Sequence, residues 1–215
     1  MKKTSSQGSS APELRTRKPL GEILSDDLAA LVIWNILFFL TCLPILTLGP
    51  ALAALGHCTT LLVRDQFTGE KPARVYLRAF RSCFFRAFPW GLAAFAASLL
   101  FGTGLLFYVR LSGENWLFVP LTAISLLALI FLWGILIHLF PLLSELPKGE
   151  SLFRPAVGLA FKQMGPTLRA LLISSVLLAA QILYFPAALP IMLSIGFVFP
   201  ALACAFAHVP KTNRL

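Results

Sequence analysis

Four long stretches of this chain contain no Asp, Glu, Lys or Arg, and they constrain its fold more than any other feature. They span residues 28–63, 89–109, 115–144 and 170–210, more than half of the 215 residues. A helix needs about 20 mostly apolar residues to cross a bilayer, and a charge at its centre costs on the order of 3 kcal/mol. A soluble domain could not bury four such stretches with only 13% charged residues. The chain is therefore predicted to be an all-α, polytopic transmembrane helical bundle.

The basic residues lie between the apolar stretches and predict the orientation. The net charge is +9, and Lys and Arg are concentrated before residue 20, in 64–88, in 145–169 and after 210. On a soluble protein this excess would suggest nucleic acid. Here it follows the rule that basic loops stay in the cytoplasm, so we expect the lipid bilayer as a partner and no nucleic acid. An even number of crossings between the basic segments places both termini in the cytoplasm.

Six helices in three hairpins satisfy this requirement, and four full crossings plus a re-entrant hairpin at 28–66 satisfy it equally. The predicted organisation is a disordered basic tail (1–22), a transmembrane domain (23–210) and a C-terminal tail (211–215). Prolines and polar turns divide the apolar stretches. The predicted helices are 28–43, 51–66, 89–109, 116–136 (continuing to a break at Pro141), 170–185 and 189–208, with an interfacial helix on the membrane surface within 67–88.

Two sets of residues are candidates for binding. Asn35 and the break formed by Pro44, Thr47, Gly49 and Pro50 bring polar groups into an apolar stretch. A buried Asn more often bonds across helices than binds a substrate, so we favour a structural role for Asn35. The freed backbone groups of the break could line a solute site, as in transporters, or form a tight turn, and both interpretations stay open.

The second set is Arg74, Arg78 and Arg81, whose spacing places them on one face of a helix. Such a face predicts contact with anionic lipid headgroups. Phe85 falls among these arginines on the same face.

The sequence gives no sign of an active site. Clustered acids, bases, nucleophiles or metal ligands are lacking, and the four cysteines are scattered. His57 and His138 are the ionisable candidates inside the apolar stretches, with His208 at the end of the last one. They could carry a proton or a metal, but no carboxylate lies within the stretches to partner them, which favours hydrogen-bonded structural histidines. Glu145 is interpreted as an interfacial charge. We therefore expect no enzyme activity, no cofactor and no metal.

Several of these residues carry a resemblance to a known family. The pair Trp34-Asn35, the stretch Leu43-Pro-Ile-Leu-Thr-Leu-Gly-Pro-Ala-Leu52, the following basic and aromatic segment, and Phe140-Pro-Leu-Leu143 resemble the YesL-like family of small bacterial membrane proteins. The resemblance implies a protein of the bacterial inner membrane, encoded beside carbohydrate-uptake ABC transporters. It predicts a non-enzymatic accessory role with ABC transporter subunits as partners. The alternative is a small-solute permease with its site at the 44–50 break.

Overall fold

The computed structural model describes residues 17–44, 47–113, 115–146, 151–187 and 189–209. Within these ranges the chain is helical and contains no strand, so the prediction of an all-α bundle is confirmed. The helices are α1 (Leu20–Asp26), α2 (Leu28–Cys42), α3 (Leu48–Val63), α4 (Pro72–Ser112), α5 (Val119–Glu145), α6 (Phe153–Lys162), α7 (Met164–Leu183), α8 (Leu189–Ile191) and α9 (Val198–His208). A 3₁₀ turn (Trp116–Phe118) precedes α5, and a π-helical turn (Met192–Gly196) joins α8 to α9.

Four helical segments of the described chain are long and apolar enough to cross a membrane. They are Pro72–Ser112, Trp116–Glu145, Met164–Leu183 and Leu189–His208, and the bent pair of α1 and α2 would make a fifth. The helices of the 28–66 hairpin are shorter, with 15 residues in α2 and 16 in α3. At 1.5 Å per residue they are about 23 and 24 Å long, less than the ~30 Å hydrocarbon core. Each of these four segments is therefore long enough to cross the bilayer by itself, whereas α2 and α3 are not.

The short helix α3 forms the centre of the bundle. Eleven of its 16 residues are buried, and it packs against α2, α4, α5 and α9. Its sequence is rich in Ala, Gly and Thr, the small residues that allow close approach of helix backbones in a membrane. The closest approach is at Gly49, where an added Cβ would lie 2.6 Å from the Cα of Gly91 on α4. Small side chains therefore explain how this short apolar helix can be enclosed on all sides.

Two predicted proline breaks were wrong. The predicted interfacial helix within 67–88 and the helix 89–109 form one continuous helix, α4, which contains Pro89. Likewise α5 runs through Pro141 to Glu145. Each proline removes a single backbone donor, and a membrane helix tolerates this loss when its surroundings compensate. Part of the predicted basic loop 145–169 also forms a helix, α6.

Contacts between the helix termini bring the ends of the hairpins together. The backbone N–H of Lys18, just before α1, donates to the carbonyl of Val63 at the end of α3 (3.0 Å). The guanidinium of Arg64 lies 2.8 Å from the carboxylate of Glu145 at the end of α5. His208 at the end of α9 contacts the same carboxylate. We call this face of the bundle, where residues 17–19, Arg64, Glu145 and His208 meet, the basic end.

The predicted tails fall mostly outside the described residues. Positions 1–16 and 211–215 are not described, whereas residues 17–19 lie at the basic end of the bundle and residues 20–22 begin α1. The guanidinium of Arg17 stacks over the ring of Phe206 at 4.1 Å. The ammonium of Lys18 lies 2.8 Å from the carboxylate of Asp27, and this hydrogen bond raises the pKa of Lys18.

Candidate functional site at the basic end

The most distinctive arrangement of polar groups is a row of buried side chains that joins three helices. The Nε2 atom of His138 (α5) lies 2.9 Å from the hydroxyl of Thr167 (α7), and its Nδ1 atom lies 3.3 Å from Nδ1 of His208 (α9). Nε2 of His208 is 3.5 Å from the carboxylate of Glu145, which also pairs with Arg64 at 2.8 Å. We call Thr167, His138, His208 and Glu145 the histidine chain.

Burial makes this chain chemically unusual. His138 is fully buried, and the side chain of His208 is only 2% exposed. The side chain of Glu145 is 25% exposed, so the chain reaches solvent at this residue. Buried polar groups are costly without partners, and each ring nitrogen here has a partner within 3.5 Å. A connected row of titratable groups can hold or move a proton.

Sequence reasoning missed the histidine chain because it compared only residues inside the charge-free stretches. Glu145 was interpreted as an interfacial charge, and the histidines were expected to lack a carboxylate partner. In fact Glu145 is the last residue of α5, and His208 is the last residue of α9. Two helices that end at the same face bring their terminal residues together, so a comparison of helix ends could have found the pair.

A cleft of about 380 Å³ opens between α3, α4 and the residues that join them, and Ser144 of α5 also lines it. The polar residues that line it include His57, Ser144 and Arg78, and the apolar ones include Phe67 and Val75. Nδ1 of His57 lies 3.0 Å from the hydroxyl of Ser144, and that hydroxyl also bonds to the carbonyl of Pro141 (2.7 Å). The cleft therefore combines hydrogen-bonding groups with an apolar wall.

The residues of the predicted 44–50 site make contacts within the protein. The hydroxyl of Thr47 lies within hydrogen-bond distance of the backbone carbonyls of Thr41 and Pro44, which closes the turn between α2 and α3. Gly49 and Pro50 are buried, and Gly49 packs against α4. Pro44 is exposed. The break does not line the cleft described above, and the hypothesis of a solute site there stays a prediction.

Asn35 is fully buried on α2 and forms four hydrogen bonds with the segment between α8 and α9. Its Nδ2 donates to the carbonyls of Met192 (2.9 Å) and Leu193 (2.7 Å). Its Oδ1 accepts from the backbone N–H of Phe197 (2.9 Å) and of Val198 (3.1 Å). Two of these four backbone groups belong to the π-helical turn and two to the start of α9, so this single amide holds α2 against both.

Arg74, Arg78 and Arg81 lie on one exposed face in the N-terminal part of α4. Leu77 and Phe85 lie on the same face, and Phe85 is 88% exposed. We call these five residues the arginine stripe. Arg78 also pairs with Glu70 at 3.3 Å, although its side chain stays 71% exposed.

The stripe lies on the same unbroken helix, α4 (Pro72–Ser112), as a segment that is long and apolar enough to cross a membrane.

The described residues contain no group of three or more His, Cys, Asp or Glu side chains that could hold a metal ion. The four cysteines are present as free thiols, with Cys58 and Cys83 buried. The two nearest histidine nitrogens, on His138 and His208, would give a metal only two ligands. A stable protein site for zinc normally has three or four.

Residues 31–105 match a family model described as "Protein of unknown function, DUF624". The YesL-like proteins that the sequence resembles are a DUF624 family. The matched part includes most of α2, all of α3 and most of α4, and with them Asn35, the Gly49–Gly91 contact and the arginine stripe. His138, Glu145, Thr167 and His208 lie beyond it. No curated protein and no solved structure matched the chain.

Proposed function

We propose that this protein is a non-enzymatic accessory protein of a membrane transporter, and that the transporter imports carbohydrate. The likeness to YesL-like proteins supports the carbohydrate transporter as partner, because it implies an association with sugar-uptake ABC transporters. The positions of the basic segments support a bacterial inner-membrane protein with both termini in the cytoplasm. The single structural observation that carries the proposal is the arginine stripe.

The composition of the stripe suits a protein partner. Arg and aromatic side chains are enriched among the residues that dominate binding energy at interfaces. Phe85 is 88% exposed between arginines, and burial of a phenylalanine side chain contributes about 1.5–3 kcal/mol. A partner that covers the stripe would gain this energy together with charge pairing to its own acidic groups.

The position of the stripe suits the same role. Residues 72–88 extend about 25 Å along α4 at 1.5 Å per residue. The stripe joins a membrane span directly, so a partner bound to it would be held next to the bilayer. The basic segments support a cytoplasmic position for this end of α4, where the cytoplasmic loops and nucleotide-binding subunits of an ABC transporter are accessible.

Co-purification from native membranes at native expression tests the proposal. We expect transporter subunits to copurify with the tagged wild-type protein. A variant with Arg74, Arg78 and Arg81 changed to Glu should lose at least about tenfold of this recovery, because it reverses three interface charges. The matched control is Arg110→Glu, an exposed arginine at the opposite end of α4, which should leave recovery unchanged. Absence of transporter subunits from the wild-type sample would overturn the proposal.

The lipid interpretation of the stripe gives a different result in the same set of variants. If the stripe binds anionic headgroups, the triple variant should lose affinity for vesicles that contain phosphatidylglycerol and should still copurify with transporter subunits. That result would assign the stripe to lipid and remove its role in docking a partner.

The permease alternative needs its own variant. Gly49→Ala is unsuitable because an added methyl group would press on the backbone of α4. Thr47→Val removes only a hydroxyl that bonds to carbonyls of the turn. Under our proposal, purified wild-type protein in liposomes shows no solute flux. Flux in the wild type that Thr47→Val abolishes at equal expression would instead establish a permease.

A further inference from the structure

The hydroxyl of Thr167 determines how protons are arranged along the histidine chain. It lies 2.7 Å from the carbonyl of Gln163 and 2.9 Å from Nε2 of His138. A hydroxyl has one proton to donate, so it can donate to only one of these two acceptors at a time. Each choice fixes the tautomer of His138 and, through the Nδ1–Nδ1 contact, that of His208.

In the first arrangement Thr167 donates to Nε2 of His138. His138 then carries its proton on Nδ1 and donates to Nδ1 of His208. His208 carries its proton on Nε2, which points toward the carboxylate of Glu145. Both rings are neutral, Glu145 is ionised, and every ring nitrogen has a partner of the correct type.

In the second arrangement Thr167 donates to the carbonyl of Gln163. His138 now carries its proton on Nε2 and donates it to the threonine oxygen, so its Nδ1 becomes an acceptor. Nδ1 of His208 must donate to it. Nε2 of His208 can face the ionised carboxylate of Glu145 favourably only if it carries a proton as well. His208 is then an imidazolium ion paired with Glu145.

The two arrangements differ by one proton and by the rotation of one hydroxyl. We propose that the histidine chain is a buried binding site for one exchangeable proton. Uptake forms an N–H bond on one ring and moves the shared Nδ1 proton from His138 to His208, so that the positive charge lies beside Glu145. The proton comes from bulk water and returns to it, and no other covalent bond changes. Every ring nitrogen keeps a hydrogen-bond partner in both states, which is what permits reversible binding in a buried position; only the bond from Thr167 to the carbonyl of Gln163 is exchanged.

Among the charged and titratable groups around the histidine chain, the carboxylate of Glu145 favours binding of a cation, whereas the arginines oppose it. Arg64 at the end of α3 shares the carboxylate with His208, at 2.8 Å and 3.5 Å respectively. His57 on α3 lies within the electrostatic reach of Glu145. The guanidinium of Arg17 lies 3.5 Å from the carbonyl of Val209, one residue after His208. Glu145 is thus the negative group that faces the chain, and it compensates the positive charge on His208.

A metal ion is the other cation that two imidazole nitrogens could bind. His138 and His208 offer only their Nδ1 atoms to a shared ion, because their Nε2 atoms face Thr167 and Glu145. The described residues supply no third ligand. A proton needs only the two nitrogens that are present.

Nitrogen-15 NMR of the histidine side chains tests the proposal directly. The chain contains three histidines, and the variant His57→Gln leaves only the two of the site. The protein would be studied in lipid nanodiscs with a metal chelator, from about pH 9 to pH 5, the range in which histidine titrates. Over one shared transition, we expect His208 to become doubly protonated while His138 stays neutral and moves its proton from Nδ1 to Nε2.

The role of Glu145 is tested with a matched pair of variants. Glu145→Gln keeps an oxygen for His208 but removes the negative charge, so proton binding should weaken at least about tenfold. Glu22→Gln changes an exposed glutamate on α1 and should leave the transition unchanged.

Three results would overturn the proposal. They are independent titration of the two rings, a His138 tautomer that does not change with pH, and rings that both stay neutral throughout. Displacement of both Nδ1 signals by added Zn²⁺ at a stoichiometric amount would assign the site to a metal instead.

Discussion

The contact between Gly49 and Gly91 leads to a quantitative prediction for the packing of α3 against α4. A Cβ atom added at Gly49 would lie 2.6 Å from the Cα of Gly91 and 2.7 Å from the carbonyl oxygen of Ala87. Ordinary contacts of a Cβ begin at 3.4 Å. Both neighbouring atoms belong to backbone, so no side chain can rotate away. The substitution Gly49→Ala therefore requires the two helices to separate by about 0.8 Å.

The cost of this separation follows from the behaviour of overpacked cores. Extra methyl groups that force backbone shifts typically cost about 1–3 kcal/mol. The higher helix propensity of alanine offsets about 0.5–1 kcal/mol of this cost. We expect Gly49→Ala to lower the free energy of unfolding by about 1–2 kcal/mol, which corresponds to a decrease of about 2–8 °C in the unfolding midpoint for a chain of this size.

Gly56 provides a matched control on the same helix. A Cβ at Gly56 would meet the ring of Pro141 at 3.5 Å, an ordinary contact. We expect Gly56→Ala to keep or raise the midpoint. Thermal unfolding of both variants in nanodiscs, followed by the fluorescence of the four tryptophans, compares them directly. Equal stability of Gly49→Ala and Gly56→Ala would refute the reasoning.

Two further predictions concern polar contacts. Asn35→Leu should destabilise the protein by about 3 kcal/mol or more, because it leaves several buried backbone groups unpaired. The control Asn115→Ala removes one exposed hydrogen bond to Leu117 and should cost about 1 kcal/mol. Chemical unfolding measures the free energy of unfolding of both variants. The hydrogen bond to Asp27 raises the pKa of Lys18. The contribution of this bond to the stability of the protein should therefore be complete below the pKa of an ordinary lysine, and it should be lost as the pH rises through the raised pKa. Asp27→Asn should therefore reduce stability at neutral pH and flatten its alkaline decrease, and an unchanged alkaline unfolding curve would contradict the assignment.

The class of the fold could be predicted because it depends on composition along the chain. The hydrocarbon around the apolar stretches excludes charged side chains from them. This pattern can be detected in the sequence without knowledge of any tertiary contact. The helices 28–43 and 51–66 were predicted to within three residues of α2 and α3. The arginine stripe was predicted from helical periodicity alone, including the position of Phe85 among the arginines.

The continuity of α4 and α5 could not be read from the sequence. A proline in a helix favours a break when only the chain is considered. Whether the helix continues depends on what surrounds the proline. The ring of Pro141 packs against α3 at Gly56.

The sequence by itself determined that this chain has the apolar helices of a membrane protein and which face of α4 is basic, because both follow from local composition and period. Only the tertiary structure brought His138, Thr167, His208 and Glu145 together, since they come from three helices and are up to 70 residues apart in sequence. The packing of a bundle decides which helix ends meet. Proximity of that kind leaves no periodic pattern along the chain, and the partner of a buried histidine is visible only after the helices have been placed.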